Sequence, residues 1–319
     1  MNEETKLLAR LLKEKREALG YSLRTLATIT GVSFSTLARV ERAEGEPDNN
    51  TKIRIVEWLG SDARQAGLEF QDTTLVHFRA RKRIDSATIQ GLQEIANYLY
   101  DKYDKATPSS KATDLSEDVL ERSLSHPISL SKDEMENKAE SFRRDLGFSD
   151  DEALDPFCIR IQGVKIISLE QIDGVSEALK DQLLNSAREQ WDAMSVPLEE
   201  GSETWVVVWN NCTSGNRQRV SLLEEIWHIL SGHRLTKIRK FAGVYGRTFD
   251  EVEEHDAYYL AAATLLPASV VRKAVEEHTN VSEIAKKYGT TTELVEYRIK
   301  RLGLWQQYKG MKVTFQTEK

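Results

Sequence analysis

The stretch from Gly215 to His233, GNRQRVSLLEEIWHILSGH, limits more than any other what this chain can fold into. Its middle, Ser221 to Leu230, reads as a buried helix, because Leu222, Leu223, Ile226, Trp227, Ile229 and Leu230 surround Glu224, Glu225 and His228. Residues four apart on a helix share a face, about 6 Å along the axis, so Glu224 and His228 stand side by side. Two adjacent carboxylates in oily surroundings are costly unless a charged group meets them. A divalent cation is such a group, since carboxylate oxygen and imidazole nitrogen are both zinc ligands. The plainer alternative is a solvated helix edge with pairing four residues apart.

The chain has 319 residues, 40% hydrophobic and 30% charged, which suffices for two domains and a large core. It has no apolar run of about 18 residues, so no membrane partner is expected. The amino terminus, MNEETKLLARLLKEKRE, lacks the apolar core of a signal peptide. Cys158 and Cys212 make neither a disulfide framework nor a Cys-x-x-Cys pair, which reads as a reduced, cytoplasmic protein. The net charge of −7 argues against a protein that coats nucleic acid, but not against a small DNA-reading module with its own local field.

Such a module is legible at the amino terminus. Leu7 to Leu19 is amphipathic, and Gly20 ends it. Ser22 N-caps a helix to Thr30, Ser33 caps a third through Arg42, and a fourth runs from Lys52 to Leu59 after a Gly, Pro and Asn break. Ala27, Gly31, Leu37 and Val40 have the spacing of a small crossing residue, a turn glycine and two core positions. With Glu41 and Pro47, this resembles the lambda-repressor-like (XRE-type) helix-turn-helix family over about residues 5 to 60. The resemblance implies that Ser33, Phe34, Ser35, Thr36 and Arg39 face the major groove of an operator, with Arg42 and Arg24 on phosphates. Leu23 stands where the family often has a DNA-contacting Gln.

Phe78 to Arg83, FRARKR, is a basic run that reads either as a solvated face or as a phosphate contact. Ser86 to Tyr103 carries Ile89, Leu92, Ile95, Ala96, Leu99 and Tyr100 at helical spacing, for core or for a dimer seam. Thr107 to Thr113 reads as a linker, and Ser131 caps a helix over about Lys132 to Leu146. Strands are expected within Phe157 to Ser168 and at Trp205 to Asn210. A helix is expected near Val175 to Asn185, and a turn from Pro197 to Glu203.

After the central helix comes EVEEHDAYYLAAATLLP, ending at Pro267. Arg217-Gln-Arg219 before the helix, and Glu254, Ala257, Ala261, Leu265 and Pro267 after it, resemble the ImmA/IrrE-like metallopeptidase family. That resemblance implies a metal, zinc among the candidates. It makes Glu225 the general base on a metal-bound water, and His228 and Glu254 ligands. Where the family's motif is His-Glu-x-x-His, this chain reads Glu-Glu-x-x-His, so Glu224 replaces an imidazole. It either donates an oxygen to the ion or marks the loss of metal binding or catalysis. Glu253, His255, Asp256 and His233 are the available substitutes. Beyond Pro267, a helix over Ala268 to His278 precedes Val281 to Leu304, which repeats the helix-turn-helix rhythm. Arg298 stands there at the offset of Val40. In the resembling family this tail is mostly packing; Lys286, Lys287, Arg298, Lys300 and Arg301 are the residues that would touch DNA.

The expected fold class is α+β and mostly helical, a helix-turn-helix bundle followed by a zincin-like mixed α/β domain and a helical tail. The expected boundaries are 1–62 for the DNA-binding domain and 63–145 for a helical connector that offers a dimerisation seam. Residues 146–270 form the metallopeptidase-like domain and 271–319 the tail. The resulting reading is a transcription regulator, homodimeric on double-stranded DNA, whose second domain senses a metal, ligand or partner in a phage, mobile-element or stress switch. Two alternatives stand beside it: a metal-dependent peptidase that cleaves a repressor, and an antitoxin-type protein with a toxin partner. Glu224 favours regulation over proteolysis, because an extra anionic ligand leaves a metal less electrophilic.

Overall fold

The computed structural model describes residues 3–80, 84–103, 130–198 and 204–311. The linker at 107–113, the end of the basic run at 81–83 and most of the turn before residue 204 lie outside the described residues.

Five helices open the chain: α1 (Glu3–Ala18), α2 (Leu23–Thr30), α3 (Phe34–Glu41), α4 (Asn49–Leu59) and α5 (Ser61–Gln65). Ser22, Ser33 and Asp48 each cap a helix, their side chains accepting from a backbone N–H three residues on. Gly31 takes φ 65°, which lets α2 turn sharply into α3. Leu8, Leu12, Leu26, Leu37, Val40, Ile53 and Leu59 form the core of this head. Glu41, a motif residue, accepts from the Arg16 guanidinium at 2.5 and 2.9 Å and ties α3 to α1.

The body is a six-stranded sheet with order β2-β4-β3-β1-β5-β6. Its strands are β1 (Asp72–Ala80), β2 (Val164–Ser168), β3 (Trp191–Pro197), β4 (Trp205–Trp209), β5 (Thr236–Phe241) and β6 (Val244–Thr248). The β2–β4 pair is parallel and the other neighbours run antiparallel. The stretch expected as a helical connector, 63–145, instead places β1 in the middle of the sheet, with helices at Ser86–Tyr103 and Lys132–Asp145 among its described residues. TTLVHFRA alternates sides as a strand does, and the basic residues that follow masked this pattern. The strand expected from Phe157 is shorter than that, since Pro156–Cys158 forms a 3-10 turn and pairing begins at Val164.

One face of the sheet is covered by α6 (Ser86–Tyr103). Its Ile89, Leu92, Ile95 and Leu99 pack with Val76 and Phe78 of β1, Met194 and Val196 of β3, and Val206 and Val208 of β4. That stripe is core. The other face carries α7 (Lys132–Asp145), α9 (Gly215–Ser231) and α10 (Glu251–Leu265), while the short α8 (Glu177–Asp181) lies beside α6. The tail, α11 (Ala268–Glu276), α12 (Val281–Tyr288), α13 (Thr292–Arg301) and α14 (Trp305–Tyr308), packs into the same core through Val271, Ile284, Leu294, Val295 and Ile299.

The head docks on the sheet edge. Asn50 of α4 accepts the backbone N–H of Arg247 at 2.9 Å, and Glu57 receives Lys237 at 2.9 Å and Arg239 at 3.2 Å. Gly246 makes the approach close: a Cβ there would stand 2.5 Å from Ile53 Cδ1 and 2.9 Å from Asn50 Oδ1. Among the described residues no helix is long and apolar enough to cross a membrane.

In the tail, Arg298 is no DNA contact. It is fully buried, forks onto Glu136 at 2.6 and 2.8 Å and donates to the Leu266 carbonyl. Removing one partner of such a pair strands the other charge, so Arg298→Ala should cost about 3–5 kcal/mol in urea unfolding. Lys300→Ala, at an exposed pair with Glu296, should leave the midpoint nearly unchanged.

Candidate functional site

The site lies between α9, the sheet and the first turns of α10. Glu224 and Glu225 are fully buried and His228 nearly so. Alternation along β1 sends Val76 and Phe78 toward α6, and His77 and Arg79 toward α9. The pairing of β1 with β3 shifts register between Arg79 and Ala80, an irregularity that re-aims side chains. From β1, Arg79 Nη1 donates to Glu224 Oε1, and its guanidinium lies 4.8 Å from the centre of the Tyr258 ring. His77 stacks on His228 with ring centres 4.8 Å apart, and on Trp205 at 5.7 Å. From β3, Ser195 donates its hydroxyl to Glu225 Oε2.

Glu224, His228 and Glu254 each present a ligand atom, and these lie within 4.8 Å of one another. His228 Nε2 stands 3.8 Å from Glu254 Oε1. His233 Nδ1 is 3.1 Å from His228 Nδ1, a contact that orients the ring and leaves Nε2 toward the carboxylates. Glu224 Oε2 and Glu225 Oε1 are buried without a hydrogen-bond partner. Two carboxylates, a neutral imidazole and these orphaned oxygens fit a divalent ion in donor chemistry; donors about 2 Å from an ion lie at most about 4.4 Å apart, so the three side chains would close in slightly from their spread of up to 4.8 Å. One feature works against the fit: Glu224 Oε1 already meets a guanidinium.

Burial pushes both Glu224 and Glu225 up to about 8, against the pull of Arg79 on the first and of Ser195 on the second. Burial raises Glu254 as well. Burial is the largest single influence on Arg79 and lowers it, but Glu224, Tyr258, Glu254 and Asp192 together raise it further, so the guanidinium stays charged. Three carboxylates with one guanidinium in direct contact titrate as a group and retain a proton near neutrality. Burial holds His77 neutral down to about 3 and His233 to about 4.

The other named residues have different work. Arg217 pairs with Asp192 at 2.6 Å and with Glu189, and Arg219 reaches Asp155 at 3.4 Å, so neither touches Glu224. Glu253 is taken by Arg234, and His255 lies between Asp256 and Arg301. In the head, Ser33, Phe34, Ser35, Arg39 and Arg42 are exposed and Thr36 is half-buried. Arg42 is forked on Glu44 at 2.8 and 2.9 Å, so a phosphate would have to displace that pair. Sequence reasoning missed His77, Arg79 and Ser195. The alternation within TTLVHFRA was the signal for the first two, and nothing local marks Ser195.

A carboxyl whose folded pKa is about 8 against 4.5 unfolded takes up a proton on folding. Its contribution is complete below the unfolded value and is lost as pH rises toward the folded one. In chelator-treated protein the thermal midpoint should therefore fall between about pH 6.5 and 8, and Glu225→Gln should flatten the slope. His77 and His233 act in the opposite direction, but only below about pH 6.5. A wild-type midpoint that holds or rises across the window contradicts the assignment.

Residues 164–300 match the model of the IrrE N-terminal-like domain, and residues 12–62 match that of the helix-turn-helix. No curated protein and no solved structure matches the chain. Glu224, Glu225, His228 and Glu254 fall inside the first match, while β1, with His77 and Arg79, falls in neither. The chain joins a helix-turn-helix domain to an IrrE N-terminal-like domain.

Proposed function

We propose that this DNA-binding regulator uses its IrrE-like domain as a sensor, in which a divalent metal ion or small ligand at Glu224, His228 and Glu254 sets the affinity of the head for its operator. The observation that carries the reading is a set of contacts shared by the site and the head. The Arg247 guanidinium donates to the carbonyls of Phe78 at 3.3 Å and Ala80 at 3.5 Å, on either side of Arg79. The Arg247 backbone N–H donates to Asn50 in α4. A shift of β1 at the site thus acts on the residue that holds the head. Docking through α4 leaves Phe34, Ser35 and Arg39 of α3 exposed, free to enter a major groove. One such helix reads a half-site, so the head works as a homodimer on DNA.

At the site, His228 and the two carboxylates would bind the ion, and Ser195 orients Glu225. A bound divalent ion supplies Lewis acidity there. That chemistry also supports a second reading, a peptidase that cleaves a repressor, with Glu225 as proton acceptor through its unpartnered Oε1. Regulation is favoured, because Glu224 adds an anionic donor, which leaves a bound ion less electrophilic, and its Oε1 already meets Arg79.

The test starts from a DNA duplex selected from random sequence by the full chain. Zinc against chelator should move its Kd at least about fivefold, the scale of an ordinary coupling energy. His228→Ala should abolish that shift, and Gly246→Ala, which pushes the head off the sheet edge, should shrink it. Equal affinity with and without zinc would remove the sensor reading. Arg39→Ala should weaken the selected duplex by about 1–3 kcal/mol while changing random DNA less. Equal weakening of both would make Arg39 a phosphate contact. Cleavage of a repressor that Glu225→Gln abolishes would favour the peptidase.

A further inference from the structure

The cation that meets Glu224 belongs to the chain itself. Arg79 comes from a strand outside both family matches, yet its guanidinium stands inside the site and donates to a fully buried carboxylate, Glu224. We propose that Arg79 is a built-in competitor for the metal, so that a divalent ion engages Glu224 only as the guanidinium leaves it. The inference rests on the metal-binding reading above and adds what controls that binding.

Three observations carry it. First, Glu224 is already ion-paired through Oε1, while its Oε2 has no hydrogen-bond partner. A divalent ion drawn to this carboxylate would lie within a few ångströms of the guanidinium, and like charges at that range in a buried site repel strongly. Second, the Arg79 side chain is a third exposed whereas Glu224 is fully buried. The arginine therefore has a way out to solvent and the glutamate does not. On the near side the Tyr258 ring face cradles the guanidinium, a contact worth keeping only while the charge stays put. Third, the pairing of β1 with β3 is regular through Arg79 and breaks directly after it, between Arg79 and Ala80, so the ladder is disrupted next to the residue that carries the guanidinium. Such bulges re-aim side chains next to functional sites. Because Arg247 holds the carbonyls on both sides of Arg79 and also Asn50, release of the guanidinium would act at the contact that seats the head.

A double-mutant cycle on the full chain tests the idea, with zinc affinity measured by competition against a chromophoric chelator and folding checked by circular dichroism. Arg79→Met should tighten zinc at least about tenfold when Glu224 is present. In the Glu224→His background, where no carboxylate holds the guanidinium, the same change should alter zinc affinity less than about threefold. Should Arg79→Met fail to fold, Arg79→Lys makes the same comparison. Its ammonium cannot fork or reach as far, and it should tighten zinc by about threefold or more. Unchanged or weaker zinc binding on removing the guanidinium overturns the proposal, as does equal tightening in both backgrounds. Absence of zinc binding in every variant, His228→Ala included, removes the metal site itself and the proposal with it.

Discussion

Everything in the body of this protein is arranged around acids that cannot reach water. Glu224 and Glu225 sit at zero exposure on α9, between the sheet and α10, and Glu254 closes the same space from the next helix. Isolated carboxylates in such a place are far too costly to stay charged, so the fold must supply counter-charge, hydrogen bonds or protons. It supplies all three: the Arg79 guanidinium for Glu224, the Ser195 hydroxyl for Glu225, and pKa values raised until a proton is retained. The neutral imidazoles of His77 and His228 fill the remaining volume by stacking, which buries rings without adding charge.

The same strand that brings the arginine also joins the two halves of the molecule. β1 lies between β3 and β5 and is gripped by Arg247 of β6, whose backbone reaches α4 of the head. Around it, Glu57 receives Lys237 and Arg239 across the boundary, and the missing side chain at Gly246 lets Ile53 come in. The proposed coupling between the buried site and the helix-turn-helix would run along this packed edge of the sheet.

Much of the fold can be read from local chemistry. The helix boundaries near Ser22, Ser33, Ser86 and Ser131 follow from caps and periodicity, because an N-cap hydroxyl or a 3.6-residue stripe acts within one turn. The motif on α9 and the downstream Glu254 point to one another through a family pattern, and the structure places their ligand atoms within 4.8 Å of one another. What local reading misses is pairing across the sheet. β1, β3, β5 and β6 owe their existence to partners far away in sequence, and short strands are not determined by their own residues. The basic run from Phe78 illustrates this, since Arg79 looks solvent-bound until the strand is placed.

The amino-acid sequence alone determined that an oily helix carries two adjacent acids and a histidine, and that a helix-turn-helix precedes it, because both are patterns within a few turns of chain. Only the tertiary structure decided which charge answers Glu224. Arg79 lies 145 residues away, and the choice among Arg79, Arg217 and Arg219 depends on strand order and on the direction of side chains along β1. Coulomb attraction acts through space, and space is set by the fold.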